Sequence, residues 1–194
     1  MSLEGKSIAI LVAPRGTEEP EFVEPKCAAE QAGAEVTVIS LKSGKAKTNN
    51  KDLDPGGEYP IDTTFAEVSA NAFDGLIIPG GCVGADKLRA DKDAVAFVKA
   101  FFDQEKPVAA ICHAPWLLVE ANVVAGRRLT SFSSIRTDIE NAGGSWVDEE
   151  VIVDEALITS RTPDDLPAFC AKLVEGFAKG RAGETQAAKR DGSA

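Results

Sequence analysis

Apolar positions along the chain fall into two rhythms. Residues 6–13 (KSIAILVA), 35–41 (EVTVISL), 73–79 (FDGLIIP) and 107–111 (PVAAI) are short, nearly unbroken apolar runs bounded by Gly, Pro or charge. Runs of that length fit strands covered on both faces in a parallel sheet. Between them the apolar spacing turns helical. Ala94, Phe97, Val98, Phe101 and Phe102 lie on one helical face, and Leu166, Phe169, Cys170, Leu173, Val174 and Phe177 on another. The pattern predicts further helices running up to Ala32, over about 114–122 and over 135–142, and later strands at 151–153 and 156–160.

Punctuation marks the ends. Pro14 to Pro20 reads as a polar loop. The helix after it ends at Gly33, a fitting C-cap, and Pro25 belongs in or near its first turn, where a missing N–H matters least. Thr162 caps the last helix, with Pro163 at its first position, Asp164 and Asp165 at its positive end, and Pro167 costing one backbone hydrogen bond. Residues 42–59 are polar and form a surface hairpin or excursion, followed by an extended piece over 61–65. Strands alternating with helices imply a mostly parallel sheet with helices on both faces, one domain over 1–180 and a polar, disordered tail over 181–194.

Composition narrows the role. A formal net charge of −10 opposes binding to nucleic acid or to anionic membranes, both of which call for clustered Lys and Arg. No apolar run approaches membrane-spanning length, and the first residues lack a secretory signal, so we expect a cytosolic protein. Cys27, Cys82, Cys112 and Cys170 are scattered without paired spacing, and the chain has one His. Neither a disulfide framework nor a structural zinc site is expected, and no cofactor fingerprint is present.

Ligands of parallel sheets bind beyond the carboxyl ends of the strands. The loops to inspect follow Ala13, Pro79 and Ile111. The last holds Ala110-Ile111-Cys112-His113-Ala114, where a buried strand meets a helix with almost no loop. Small residues two positions either side suit a nucleophile elbow with Cys112 at its tip, and a helix N-terminus there lowers a thiol pKa. The plain alternative is a small buried hydrophobe. His113, the only histidine, polarises the sulfur or shuttles its proton if the backbone turns sharply between them; otherwise it is a helix-start residue bonded to solvent. Asp86 is the candidate acid for the imidazole, from this chain or from another subunit. Gly80 and Gly81 can offer N–H groups to an oxyanion, although a glycine pair also serves a plain tight turn. Glu21, at the start of the first helix, can stay protonated near the sulfur and donate to a thiolate, or simply decorate the helix dipole.

Residues 16–21 (GTEEPE), 73–81 (FDGLIIPGG), 108–115 (VAAICHAP), 135–143 (IRTDIENAG) and 160–169 (SRTPDDLPAF) together resemble the ThiJ/PfpI family, over about residues 5–178 and chiefly its bacterial stress-protein and protease branch. The resemblance implies a flavodoxin-like three-layer α/β/α sandwich with Cys112 on a strained elbow and Glu21 as the acid beside it. It also implies His113 working with an acid from a neighbouring subunit, where Asp86 falls after allowing one inserted residue, and anion-binding N–H groups from Gly81 and from the backbone of His113. The family usually forms dimers or larger rings, so a homo-oligomer is expected, a dimer or a hexamer. Cys82, directly after the glycine pair, departs from the pattern and reads as inert, pairing with Cys112 under oxidation being the alternative.

Three functions fit these residues. The resemblance favours a thiol-dependent stress enzyme acting on small aldehydes or their protein adducts, of glyoxalase or deglycase type. The others are an intracellular cysteine peptidase using Cys112, His113 and Asp86, and a non-catalytic sensor or holdase working through oxidation of Cys112.

Overall fold

The computed structural model describes residues 1–180, so the expected tail over 181–194 lies outside the described residues. The first half runs β1 (Ser7–Leu11), β2 (Arg15–Glu18), α1 (Glu19–Gln31), β3 (Glu35–Ser40), β4 (Gly44–Asn50), β5 (Asp54–Ile61), β6 (Thr63–Thr64), β7 (Gly75–Ile78), α2 (Cys82–Arg89) and α3 (Lys92–Asp103). The second half runs β8 (Val108–Ile111), α4 (Pro115–Glu120), β9 (Arg128–Leu129), α5 (Arg136–Asn141), β10 (Ser145–Trp146), β11 (Val151–Asp154), β12 (Leu157–Ser160) and α6 (Leu166–Lys179).

Seven strands form the central sheet in the order β11-β12-β8-β7-β1-β3-β6, parallel except for β11, which pairs antiparallel with β12. Side chains alternate across it as the pleat requires. Ile8, Ile10, Ile77, Ala109 and Ile111 face one core with Phe22 and Ala29 of α1 and Phe169, Leu173 and Phe177 of α6. Ala9, Leu11, Leu76, Ile78, Val108 and Ala110 face the other, with Leu88, Phe97, Phe101, Leu117 and Ile139 from α2 to α5. This is the three-layer sandwich the two rhythms imply. The unbroken apolar strands are those buried on both sides.

The excursion is a hairpin of β4 and β5, and β2 joins it parallel to β4 as a separate three-stranded sheet. The stretch read as a polar loop therefore contains a strand. Its hydrogen-bonding partner, not an apolar run of its own, makes it one. Pro25 is not in the first turn: Pro20 occupies that place, and Pro25 is buried inside α1. At the chain's other end the correction runs the opposite way. Residues 163–165 form a separate 3-10 turn, which Thr162 precedes without a side-chain cap bond. Helix α6 starts at Leu166, so Pro167 falls in its first turn and breaks no helical hydrogen bond.

Candidate active site

The carboxyl ends of β1, β7 and β8 converge as the topology requires. Cys112 has φ 63°, a left-handed conformation that costs a non-glycine residue of order 1–3 kcal/mol. Two strong ties hold it there. Its N–H donates to Ser160 O at 3.1 Å, and its own carbonyl accepts the Phe132 N–H at 2.8 Å. The turn folds the next residue back, so that His113 Nδ1 lies 3.2 Å from Cys112 Sγ. That is the sharp bend adjacent residues need in order to interact.

The carboxyl of Glu21 lies against the same thiol. Its Oε2 accepts the Gly80 N–H at 2.9 Å, while the buried Oε1 has no hydrogen-bond partner among the described residues. Burial pushes this carboxyl up to about 8, against hydrogen bonds from Cys112 and Gly80 that lower it. At neutral pH Glu21 is mostly protonated and has a proton to donate. Gly80 leaves no room for a side chain: a Cβ there would sit 2.6 Å from Glu21 Oε2 and 2.7 Å from Cys112 Cβ.

The thiol itself departs from the sequence expectation. Burial first, then the charge of Glu21, push the Cys112 thiol up, against N–H groups of Gly81 and His113 that lower it. Helix α4 adds little, because it is six residues long and opens with Pro115, which has no N–H to offer. Glu21 raises the thiol only while ionised. With Glu21 protonated, the sulfur meets three donors: the N–H of Gly81, the N–H of His113 and the acid proton. The pair therefore titrates as one unit. The expected set of oxyanion donors changes too, since the Gly80 N–H is spent on Glu21, leaving Gly81 and His113.

Asp86 is not brought to His113 within the chain. It is exposed and pairs with Arg89 at 3.4 Å; Arg89 in turn stacks on Trp116 at 4.7 Å, and Trp116 lies 5.3 Å from the imidazole. Both ring nitrogens of His113 are engaged, Nδ1 by the sulfur and Nε2 by Ser134 Oγ at 3.3 Å. Burial lowers the His113 pKa, with Asp52 opposing, so the ring is neutral near pH 7.

Asp52 and Ser134 are site residues that sequence reasoning missed. Glu18 accepts the N–H groups of Lys51 and Asp52 at 2.7 and 3.0 Å, pinning the tip of the β4–β5 hairpin, and Asp52 Oδ1 accepts the Cys82 N–H at 2.8 Å. Lys51 and Asp52 both have left-handed φ, 52° and 61°. The hairpin thus delivers a carboxylate beside the glycine pair. Cys82 is a free, half-buried thiol raised by burial and by Asp52 and Asp86. Among the described residues no group of three His, Cys, Asp or Glu side chains is placed to hold a metal ion, and no helix is long and apolar enough to cross a membrane.

A mostly parallel α/β sandwich carrying a left-handed cysteine elbow, with a buried acid on one side and an imidazole on the other, defines a class of thiol-centred α/β proteins. The chain belongs to the DJ-1/PfpI family, whose pattern matches residues 6–176. It is 45% identical over 166 residues to general stress protein 18 of Bacillus subtilis strain 168, covering 85% of this chain and 94% of that protein. It is 43% identical over 165 residues to protein/nucleic acid deglycase 2 of Escherichia coli K12, covering 84% and 93%. Drosophila melanogaster DJ-1beta superposes with a TM-score of 0.80 at 32% identity over the full length of both chains. The fold is thus the flavodoxin-like sandwich of that family.

Proposed function

We propose that this chain is a thiol-dependent, stress-protective enzyme acting on small reactive 1,2-dicarbonyls or on the first adducts they form with amines. Cys112 is the nucleophile, His113 takes the thiol proton, and Glu21 moves protons at the substrate. The observation that carries this reading is the neutral, buried carboxyl of Glu21 pressed against an elbow thiol that also touches an imidazole. The relative named as a deglycase supports it.

The steps follow from the groups present. As sulfur bonds to the aldehyde carbon, the C=O electron pair moves to oxygen, which Glu21 protonates, giving a hemithioacetal. The carboxylate so formed removes the C–H proton to give an enediol; the hydroxyl proton on the sulfur-bearing carbon passes to the neighbouring oxygen, and Glu21 returns the first proton to the neighbouring carbon, giving a 2-hydroxyacyl thioester. Water cleaves that ester, so one dicarbonyl and one water yield one 2-hydroxy acid and regenerate the thiol. Cys112 is only 7% exposed and His113 5%. An opening that small suits a two- or three-carbon carbonyl better than a peptide chain.

The test is lactate formation from methylglyoxal by the purified chain and by Cys112→Ala. We expect the variant to lose at least about 100-fold, as loss of a covalent nucleophile does. Equal lactate from both proteins overturns the reading.

A further inference from the structure

The tip of the β4–β5 hairpin is held in a conformation that hairpin formation alone does not require. Lys51 and Asp52 are consecutive non-glycine residues in the left-handed region, at φ 52° and 61°, where an L side chain crowds the backbone. The buried carboxylate of Glu18 accepts both of their N–H groups, and Asn49 Nδ2 donates to the Asp52 carbonyl at 3.0 Å. Glu19 anchors the hairpin's stem, accepting from Asn50 Nδ2 at 2.8 Å, the Gly57 N–H at 2.7 Å and Tyr59 OH at 2.7 Å. Strain held this firmly fixes one side chain in one place. That side chain is the half-buried carboxylate of Asp52.

Its place is beside the elbow. Two consecutive N–H groups follow the glycine turn after β7. That of Gly81 donates to the Cys112 sulfur, and that of Cys82 donates to Asp52 Oδ1 at 2.8 Å. The carboxylate thus lies one peptide unit along from a donor to the reacting sulfur. Its charge is felt at Glu21 and at His113, the two groups flanking the thiol, and at Cys82. The other acids nearby count for less: Glu21 is mostly protonated at neutral pH, and Asp86 is paired with Arg89 at 3.4 Å.

We propose that Asp52 sets the charge preference of the site: neutral and cationic carbonyl compounds reach Cys112, and those carrying a carboxylate or phosphate beside the carbonyl are turned away. This rests on Cys112 being the reacting thiol and names the charge class of its substrates. A negative group on the incoming molecule meets Asp52 at a half-buried position, where water screens the repulsion less than at the open surface. A neutral dicarbonyl is indifferent to that charge, and an adduct on an amine that keeps its positive charge gains from it. Asp52 also caps α2, but that role is separable. The Cys82 N–H needs only an acceptor, which an amide oxygen also provides, so Asn keeps the cap and removes the charge.

Two alkylating reagents of one shape measure this without any dicarbonyl. Iodoacetamide is neutral and iodoacetate anionic; with each, the sulfur–carbon bond forms as iodide leaves. Peptide mass after timed exposure gives the ratio of the two rates at each cysteine, and a change in the thiol's own ionisation cancels in that ratio. In Asp52→Asn the iodoacetate rate at Cys112, relative to iodoacetamide, is expected to rise about 3- to 5-fold, as for one screened charge close to the sulfur. Asp52→Ser is expected to match it. Asp103→Asn alters net charge equally at an exposed position on α3, where Asp103 pairs with Lys99, and is expected to leave the ratio at Cys112 unmoved. The exposed Cys27 is the internal reference. A ratio at Cys112 that stays put in both Asp52 variants overturns the proposal, as does an equal rise in Asp103→Asn. In turnover, methylglyoxal is compared with its analogue bearing a carboxylate in place of the methyl. The kcat/KM of the second relative to the first is expected to rise by the same factor in Asp52→Asn, and an unchanged selectivity overturns the proposal. If the native protein turns over neither compound, the substrate reading fails, while the alkylation ratio still decides the role of Asp52.

Discussion

Cys112 and Cys170 are two partly or wholly buried thiols, and their difference shows what burial does by itself. Cys170 lies on α6, and burial, with Glu24 and Cys27 nearby, pushes it up to about 12. Among the described residues no hydrogen bond lowers it to offset the loss of water, and it packs against the core as a small hydrophobe. Cys112 suffers the same desolvation, but the N–H groups of Gly81 and His113 point at it, and a protonated acid and an imidazole flank it. Burial alone makes an inert thiol. Burial with fixed donors makes a site where charge, once formed, is held by groups that need no rearrangement.

The largest expected break in this contrast comes from Gly80→Ala. The new Cβ collides with Glu21 and with Cys112 itself, so both flanking groups shift. We expect alkylation and turnover at Cys112 to fall on the order of 100-fold, comparable to losing an oxyanion donor, with Cys170 unaffected. Peptide mass after timed alkylation checks it.

Glu21→Gln has a smaller effect, and on stability as well as activity. Glu21 ionises near its ordinary 4.5 when unfolded and near 8 when folded. Between those values the native chain holds a proton that the unfolded chain has released, so this group's contribution falls as pH rises through that window. Gln does not titrate. The variant is therefore expected to gain on the native protein from pH 5 to pH 8, by an amount on the order of a few kcal/mol. Thermal denaturation of both proteins at several pH values measures it, and parallel curves refute it.

Asp52→Asn is expected to do least. The amide oxygen still accepts the Cys82 N–H, so the hairpin stays seated, but one of the two charges that raise Cys82 is gone, burial and Asp86 remaining. The alkylation midpoint of Cys82 should drop by a few tenths of a unit, roughly one charge screened at a half-exposed position, leaving Cys170 where it was.

The sheet was legible because its strands are buried on both faces, which leaves an unbroken apolar signature at residues 6–13, 73–79 and 107–111. The elbow was legible because Ala110, Ala114 and an adjacent Cys and His mark it. What escaped was set by partners. Residues 15–18 become a strand only through β4. Asp52 arrives at the site through a hairpin whose register shifts between Lys47 and Asn49, and Ser134 through a backbone bond between Phe132 and Cys112. No local pattern encodes such meetings. The direction of the thiol's shift was missed for a related reason. A helix start can be read from sequence, but the depth of the sulfur and the acid pressed against it depend on α1 and the β7 turn closing over it.

The elbow's two backbone ties, to Ser160 on one side and Phe132 on the other, also govern timing. Ser160 is among the later parts of the chain to be made, and until its strand docks beside β8 only the Phe132 tie holds Cys112 in its left-handed twist. The strained geometry of Cys112 is therefore complete only once β12, the last strand of the central sheet, is in place.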